Sequence, residues 1–306
     1  MTKILITGGR GFIGTNLTNE LRSRGHEVWT CDVLQGDDPQ HIKADTGVYQ
    51  QVEAIFRRLK VDFVYHLAAE YGRWNGEDHY ENLWRTNVIG TKNMLRLQEQ
   101  HRFKMIFFSS SEVYGDYDGL MSEDVMEKVP LKQMNDYAIS KWAGELQCLN
   151  HAAMFGVEVV RVRPTGCYGP HEYYSRYRGV IPILVYSALH GRKFTVHRGH
   201  KRIFDYVEDS CRTFANIVDN FIAGEVYNIG GREDWVVSIE ELAEVVLKAT
   251  GASRSLAEYK GEEGFTTRVK VVDFSKSRRD LKHDPRIDIH EGVPRYVTWA
   301  REVYKV

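Results

Sequence analysis

Tyr137 and Lys141 stand four positions apart in Asp136-Tyr137-Ala138-Ile139-Ser140-Lys141, inside a stretch that reads as helix. Side chains at i and i+4 share one helical face, so the ammonium can hold the phenol in its field. A free tyrosine has a pKa of about 10 and is a poor base at neutral pH. A cation close by favours the phenolate and lowers that value. The pair is a candidate general base aimed at a hydroxyl proton. The same spacing fits a surface helix with an ordinary lysine, so the rest of the chain has to decide.

A dinucleotide site begins near residue 3. Lys3-Ile-Leu-Ile-Thr7 is a short apolar, β-branched run that reads as a buried strand, followed at once by Gly8-Gly-Arg-Gly11-Phe-Ile-Gly14 and then a helical stretch to about residue 24. The glycines fit G-x-G-x-x-G from Gly9 and G-x-x-G-x-x-G from Gly8 equally well. Such glycines allow a tight turn, close approach of backbone to a pyrophosphate, and packing of helix on strand. The helix N-terminus adds free N–H groups and a positive dipole end. A second strand, Glu27-Val-Trp-Thr-Cys31, runs into Asp32, where an acid can hydrogen-bond an adenosine ribose. Asp32 favours NAD, because a carboxylate repels the 2′-phosphate of NADP. Arg10, inside the turn, argues the other way.

These residues need elements to carry them. Up to about residue 165, strands expected at 3–7, 27–31, 41–44, 62–67, 104–109 and 157–162 alternate with helices near 12–24, 48–59, 80–99 and 136–155. That alternation gives an α/β fold, a Rossmann-like doubly wound parallel sheet covered on both faces. Beyond Pro164 the pattern turns irregular, with a helix near 180–190, a strand near 194–197, and helices near 208–221 and 238–250. The expected division is residues 1–165 for NAD binding and a smaller C-terminal substrate-binding region at 166–306, with the chain crossing between them.

At 306 residues and 42% hydrophobic content the chain can bury a full core. A net charge of −1 gives no sign of a nucleic-acid or acidic-membrane partner, and clusters such as Arg57-Arg58 and Arg278-Arg279 read as solvated helix faces. No apolar run approaches a membrane span, and a strand starting at residue 3 leaves no room for a signal peptide. Cys31, Cys148, Cys167 and Cys211 are widely spaced, which fits a reducing cytoplasm. No histidine lies in a metal-type spacing; His197 and His200 read as surface or substrate-side residues.

The chain resembles the extended short-chain dehydrogenase/reductase family, in particular its nucleotide-sugar epimerases and dehydratases. The likeness spans Thr7–Gly14, Ala44-Asp45, His66-Leu-Ala-Ala69, Thr86-Asn-Val-Ile-Gly-Thr91, Ser109-Ser-Ser-Glu-Val-Tyr-Gly115 and the Tyr137/Lys141 pair. It continues through Tyr168-Gly-Pro170, Arg202 ahead of Val207-Glu-Asp209, and Tyr227-Asn-Ile-Gly-Gly231. The resemblance implies that Gly8, Gly11 and Gly14, with Phe12 and Ile13 between them, hold the NAD pyrophosphate. It gives Asp32 the ribose, Asp45 the adenine, and Leu67 and Ala69 the cofactor cleft. Tyr137 would be the base, with Lys141 on the nicotinamide ribose and Ser110 on the same sugar hydroxyl. Arg202 and Arg268 would hold the diphosphate of a nucleotide-sugar substrate, a task suited to a planar fork; the bland reading of Arg202 is an ion pair with Glu208 or Asp209. The helices at 80–99 and 136–155 would form the four-helix bundle of a homodimer. Many relatives carry Asn where this chain has Gly166, and that side chain contacts substrate phosphate. Cys167 beside it reads as a structural thiol.

Oxidation of a sugar C4 hydroxyl is the shared first step, and the resulting ketone acidifies the hydrogen at C5. Three outcomes follow: reduction from the other face (a 4-epimer), loss of water across C5 and C6, or loss of a C6 carboxylate as carbon dioxide. Glu112 tips the expectation towards 4,6-dehydration, because that path needs an acid/base group near C5. Ser110-Ser111-Glu112 resembles the arrangement in GDP-mannose 4,6-dehydratases, and that in dTDP-glucose dehydratases save that Ser111 replaces their Asp. Sugar-acid decarboxylases share the Ser-Glu pair, and Ser111 is a candidate substrate-binding residue on any of these paths. Glu112 as a loop cap is the bland alternative, and a catalytically silent NAD-binding sensor or scaffold the non-enzyme one. Tyr71 and Trp74, in Glu70-Tyr-Gly-Arg-Trp-Asn-Gly76, either wall the sugar or decorate a surface loop.

Overall fold

The computed structural model describes all 306 residues. The central sheet has seven strands: β1 (Lys3–Thr7), β2 (Glu27–Asp32), β3 (His41–Lys43), β4 (Phe63–His66), β5 (Lys104–Phe108), β6 (Val159–Pro164) and β7 (Val226–Ile229), in the order β7-β6-β5-β4-β1-β2-β3. The pairings β6-β5-β4-β1-β2-β3 are all parallel. Ile4, Leu5 and Ile6 lie fully buried, because in a doubly covered parallel sheet both faces of a strand leave water. The order turns back between β1 and β4, and ligands of such sheets bind outside the carboxyl ends of the strands at that point.

Helix α1 (Phe12–Ser23) follows β1, α2 (Tyr49–Phe56) follows β3, and α3 (Arg73–Asp78) and α4 (Tyr80–Trp84) follow β4. After α4 the chain makes a π turn at Arg85–Ile89 and continues as α5 (Gly90–His101). The sequence read 80–99 as one continuous helix. The π turn interrupts it because Asn87 points inward: its Oδ1 accepts the Glu70 N–H at 2.8 Å, and its amide donates to Glu70 O and Ser140 Oγ at 3.0 Å each. Such single turns are frequent at functional sites. Helix α6 (Asp136–Phe155) starts at Asn135, whose side chain caps the Ala138 N–H at 2.9 Å. One face of α2, α5 and α6 closes the core through Val52, Ile55, Met94, Leu97 and Cys148.

Two compact units share the chain. The first holds residues 1–113, 135–163 and 214–227; the second holds 114–134, 164–213 and 228–306. The second unit packs helices Val180–Leu189, Ile239–Thr250 and Ile289–Tyr304 around Leu184, Val246, Val293 and Tyr296. Sequence reading has no helix at 289–304, since Gly292 and Pro294 break its pattern. Asp288 nonetheless caps it by accepting the His290 and Glu291 N–H groups. The helix expected at 208–221 is Val207–Asn216, ending in tight turns in which Ile217 N–H bonds Phe214 O and Val218 N–H bonds Ala215 O. No helix is long and apolar enough to cross a membrane.

Candidate active site

The carboxyl ends of β1, β2, β4 and β5 carry most of the cofactor-side candidates and Ser110–Glu112, and α6 carries Tyr137 and Lys141. The turn after β1 is closed by a Gly11 N–H to Gly8 O bond of 3.0 Å. Gly8 sits at φ +71°, and a Cβ on it would stand 2.8 Å from Ala68 N; a Cβ on Gly14 would stand 2.2 Å from Gly8 O. Both positions require glycine. No side chain caps α1 at Gly11, so its first N–H groups face outward for an anion. Phe12 is buried and Ile13 half-buried behind that turn. Asp32 ends β2 with both oxygens held, Oδ2 by the Arg10 N–H and Oδ1 by the Leu34 N–H, each at 3.1 Å. The Arg10 guanidinium rests over Gly36. Asp45 accepts the Gly47 N–H at 2.8 Å and pairs with Arg85 at 3.1 Å. Leu67 and Ala69 lie half-buried at the end of β4, with the Leu67 N–H on Thr7 O.

Beneath this turn runs a chain of hydrogen bonds that sequence reading missed. His66 Nδ1 meets the Thr7 hydroxyl at 2.7 Å and its Nε2 meets Thr91 Oγ1 at 3.2 Å. Thr91 donates to Asn87 O, so the His66 proton belongs on Nε2, and Nδ1 accepts from Thr7. Thr7 Oγ1 in turn accepts the Ala68 N–H at 3.2 Å. Burial and the nearby Lys141 charge push His66 down to about 3, so the ring is neutral. It links β1, β4 and the π turn without adding charge.

Tyr137 and Lys141 are both buried on α6, each 5% exposed. The Lys141 ammonium lies 5.9 Å from the Tyr137 ring centroid and 5.6 Å from that of Phe107, and donates to Phe108 O at 2.8 Å. Burial lowers the Lys141 pKa to about 8, which leaves it mainly protonated at neutral pH. A cation held against the ring by the strand end is the arrangement that stabilises a phenolate. Ser110 stands two residues past the end of β5; its Oγ accepts the Glu112 N–H at 3.2 Å, which leaves the hydroxyl proton to be donated elsewhere. Ser111 is buried and Glu112 half-buried in a short 3-10 turn, Ser111–Tyr114. Glu70 is fixed by Asn75 and Asn82, whose amides reach its carboxylate at 2.8 and 2.6 Å. Tyr71 thereby sets its ring against Tyr137, while Trp74 stays exposed under Arg73. The two aromatics that the sequence left undecided part here.

All the cofactor-side and catalytic candidates therefore gather in the first unit. A family model described as the NAD-dependent epimerase/dehydratase family matches residues 4–230. The chain belongs to that family. UDP-N-acetyl-alpha-D-glucosaminuronate decarboxylase of Bacillus cytotoxicus is 30% identical over 318 residues, covering 98% of either chain. dTDP-glucose 4,6-dehydratase of an Actinoplanes species is 30% identical over 322 residues, again covering 98% of each. Among solved structures, MoeE5 in complex with UDP-glucuronic acid and NAD has a TM-score of 0.87 at 26% identity, over 98% of this chain and 99% of that one. As in the rest of the NAD-dependent epimerase/dehydratase family, the residues present fit NAD: the Gly8–Gly14 cradle excludes side chains and Asp32 is fixed at the end of β2.

The second unit holds Arg202 and Arg268. Arg202 donates to the carbonyls of Lys201 and Arg268 at 2.8 and 2.9 Å, to Thr267 O at 2.5 Å and to Thr266 Oγ1 at 3.2 Å. It has no ion pair with Glu208 or Asp209. Glu208 pairs with Arg295, and Asp209 takes Arg212 together with the Arg286 and Ile287 N–H groups. The Arg268 side chain pairs with Glu262 at 3.1 Å. Gly166 sits at φ +44° with Ile203 O where a Cβ would stand 2.3 Å away, so an Asn cannot be seated without moving backbone. Burial raises the neighbouring Cys167 thiol well above its ordinary value, as expected of a structural thiol. Of the surface and substrate-side readings of His200, the structure overturns the surface one: it is buried, and its Nε2 accepts the Glu263 N–H at 2.9 Å.

Proposed function

We propose that this chain oxidises the C4 hydroxyl of the hexose in a nucleoside-diphosphate sugar and then eliminates water across C5 and C6. Tyr137, as phenolate, takes the C4 hydroxyl proton; Lys141 holds the phenolate, and the Ser110 hydroxyl bonds the same sugar oxygen. NAD, when bound, would supply the hydride acceptor for C4 and the hydride donor for C6. Glu112 takes the C5 proton that the ketone has acidified and delivers it to the departing C6 hydroxide, which leaves as water. The proton that C5 regains balances the one lost from the C4 hydroxyl. The product is a 4-keto-6-deoxy sugar.

The observation that carries this reading is Glu112 two residues past Ser110, with its N–H on the Ser110 hydroxyl. A 4-epimerase needs the tyrosine, lysine and hydroxyl but no such carboxylate. Decarboxylation is the second reading. Ser111 favours it, because a serine cannot protonate departing water, and so does the likeness to a sugar-acid decarboxylase. Incubating the protein with a panel of nucleotide sugars and weighing the products separates the readings. Loss of water supports dehydration, loss of carbon dioxide replaces it with decarboxylation, and an unchanged mass at a new retention time with epimerisation. Tight NAD binding without turnover on any sugar would leave a silent sensor.

The first unit is proposed to bind NAD and the second the nucleotide sugar. There Arg202, whose fork three carbonyls hold in one orientation, and Arg268 take the diphosphate. A homodimer through α5 and α6 is also proposed. Ile139, Leu146, Leu149 and Met154 leave an apolar stripe exposed along α6, with Ile89 exposed just before α5. A monomeric mass by light scattering at micromolar concentration would contradict it. A cytoplasmic home is proposed because four free thiols suit a reducing compartment.

A further inference from the structure

Tyr137, Lys141 and Glu145 recur at four-residue intervals on α6 and so share one face. The first two carry the proposed chemistry. Glu145 has no part in it, yet it is fully buried and the most heavily bonded carboxylate near them. Its Oε1 accepts the Ser109 hydroxyl at 2.6 Å and Arg163 Nε at 2.8 Å; its Oε2 accepts Arg163 Nη2 at 2.8 Å and Arg161 Nη1 at 3.3 Å. Burial alone would raise its pKa, but the two guanidiniums and the hydroxyl outweigh burial and hold it below its ordinary value.

Ser109 stands between Phe108, whose carbonyl takes the Lys141 ammonium, and Ser110. One helix face thus grips the end of β5 at two consecutive residues, Lys141 on Phe108 and Glu145 on Ser109. The Ser109 N–H is tied to Val162 O at 2.8 Å, on the same strand that supplies Arg161 and Arg163. Phe108 O is the only hydrogen-bond acceptor of the Lys141 ammonium, so that ammonium is placed only as firmly as the end of β5.

We propose that Glu145, acting through Ser109, is a positioning residue that sets the Lys141 ammonium and the Ser110 hydroxyl against the Tyr137 phenol. The inference rests on the reading of Tyr137 and Lys141 as base and partner. Removing the Glu145 charge strands two buried guanidiniums, so Glu145→Gln is expected to fold poorly. Ser109→Ala is the informative variant, because it breaks the link to β5 and keeps both ion pairs.

Three readouts on Ser109→Ala test the proposal. Its kcat per NAD-binding site should fall by about tenfold to a hundredfold, the scale of a small misplacement of reacting groups. KM for the nucleotide sugar should move by no more than about threefold, since uniform binding is untouched. The Tyr137 phenolate, read as the ultraviolet difference from a Tyr137→Phe background, should form at a higher pH than in the parent protein. Ser109→Thr keeps the hydroxyl and should restore all three. The phenolate titration needs no sugar, so it still reads the clamp where the reaction class proposed above fails. An unchanged phenolate titration with an unchanged kcat overturns the proposal. So does a loss of folded protein in which kcat per folded site and its pH profile stay intact.

Discussion

Tyr71 stands edge-on to Tyr137, with ring centroids 5.4 Å apart and planes at 71°. The loop that carries Tyr71 is fixed from behind, because Asn75 and Asn82 hold the Glu70 carboxylate and Asn87 holds the Glu70 backbone. Tyr71 is 43% exposed, and the phenol beside it is almost wholly buried. Tyr71 therefore covers the proposed base, Tyr137, and limits its contact with water.

Removing that cover should cost activity more than stability. Tyr71→Ala is expected to lower kcat/KM about tenfold, the scale of one aromatic pair, with NAD affinity unchanged. Tyr71→Phe keeps the ring edge and should retain most of the rate. Steady-state kinetics on the two variants checks this, and full activity in Tyr71→Ala would show that the contact is idle.

Lys141 should show a trade of stability for function. Its pKa falls to about 8 through burial, so between pH 8 and its unfolded value the unfolded chain binds the extra proton. Stability then rises with pH across that window, and below pH 8 the cost of burying the charge is fully present. Lys141→Met should be at least as stable as the parent without cofactor at pH 7 and should have lost at least about a hundredfold in kcat. Raising the pH through the window should favour the parent over the variant by about 3 kcal/mol. Denaturant melts of the two proteins at pH 7 and pH 10 read the difference; parallel pH profiles would refute it.

The second unit should respond to pH in the opposite sense. Burial raises Glu172 and Asp205 to about 8 each, so both are protonated in the folded chain at neutral pH. The native state holds these protons where the unfolded chain has released them, so stability falls as pH rises from about 4 to 8. Asp205→Asn, which keeps a partner for the Ser210 hydroxyl, should flatten that slope and raise the melting temperature at pH 8. Calorimetry from pH 5 to 8 would show a slope unaltered by the substitution if the account is wrong.

Restoring the asparagine that many relatives carry should fail. Gly166→Asn drives a Cβ into Ile203 O at a left-handed backbone position and should cost at least about 2 kcal/mol, strain and overlap together. A substantially lower melting temperature, with no gain in nucleotide-sugar affinity, is the expected result. A normally stable variant that binds substrate more tightly would mean the backbone there is free to move.

The nucleotide half of the site was legible because its signals are local. A buried apolar strand, glycines at fixed offsets and an acid ending the next strand are all read within the first 32 residues. Tyr137 and Lys141 were legible for the same reason, one turn apart on one helix. Glu145 and Arg163 were not, because neither carries a local signal and only the packing of α6 on β5 and β6 brings them together with Ser109, which was legible only as part of a motif. His66 appeared within a recognisable motif, but its role depends on Thr7 and Thr91, far away in sequence. The π turn at Arg85–Ile89 and the helix at Ile289–Tyr304 escaped because propensity and periodicity describe regular helices, whereas tertiary hydrogen bonds and a capping Asp288 decided these two.

The central claim is that Tyr137, held by Lys141, takes the C4 hydroxyl proton while NAD would take the hydride, and that Glu112 then opens the way to loss of water from C6. Supplying nucleotide hexoses and hexuronates deuterated at C4 and locating the label in the product tests it most directly. The account predicts a product lighter by one water, a ketone at C4, and deuterium in the new C6 methyl group, with Glu112→Gln halting before water is lost. Deuterium retained at C4 in a product of unchanged mass, or a product that has lost carbon dioxide, would contradict it.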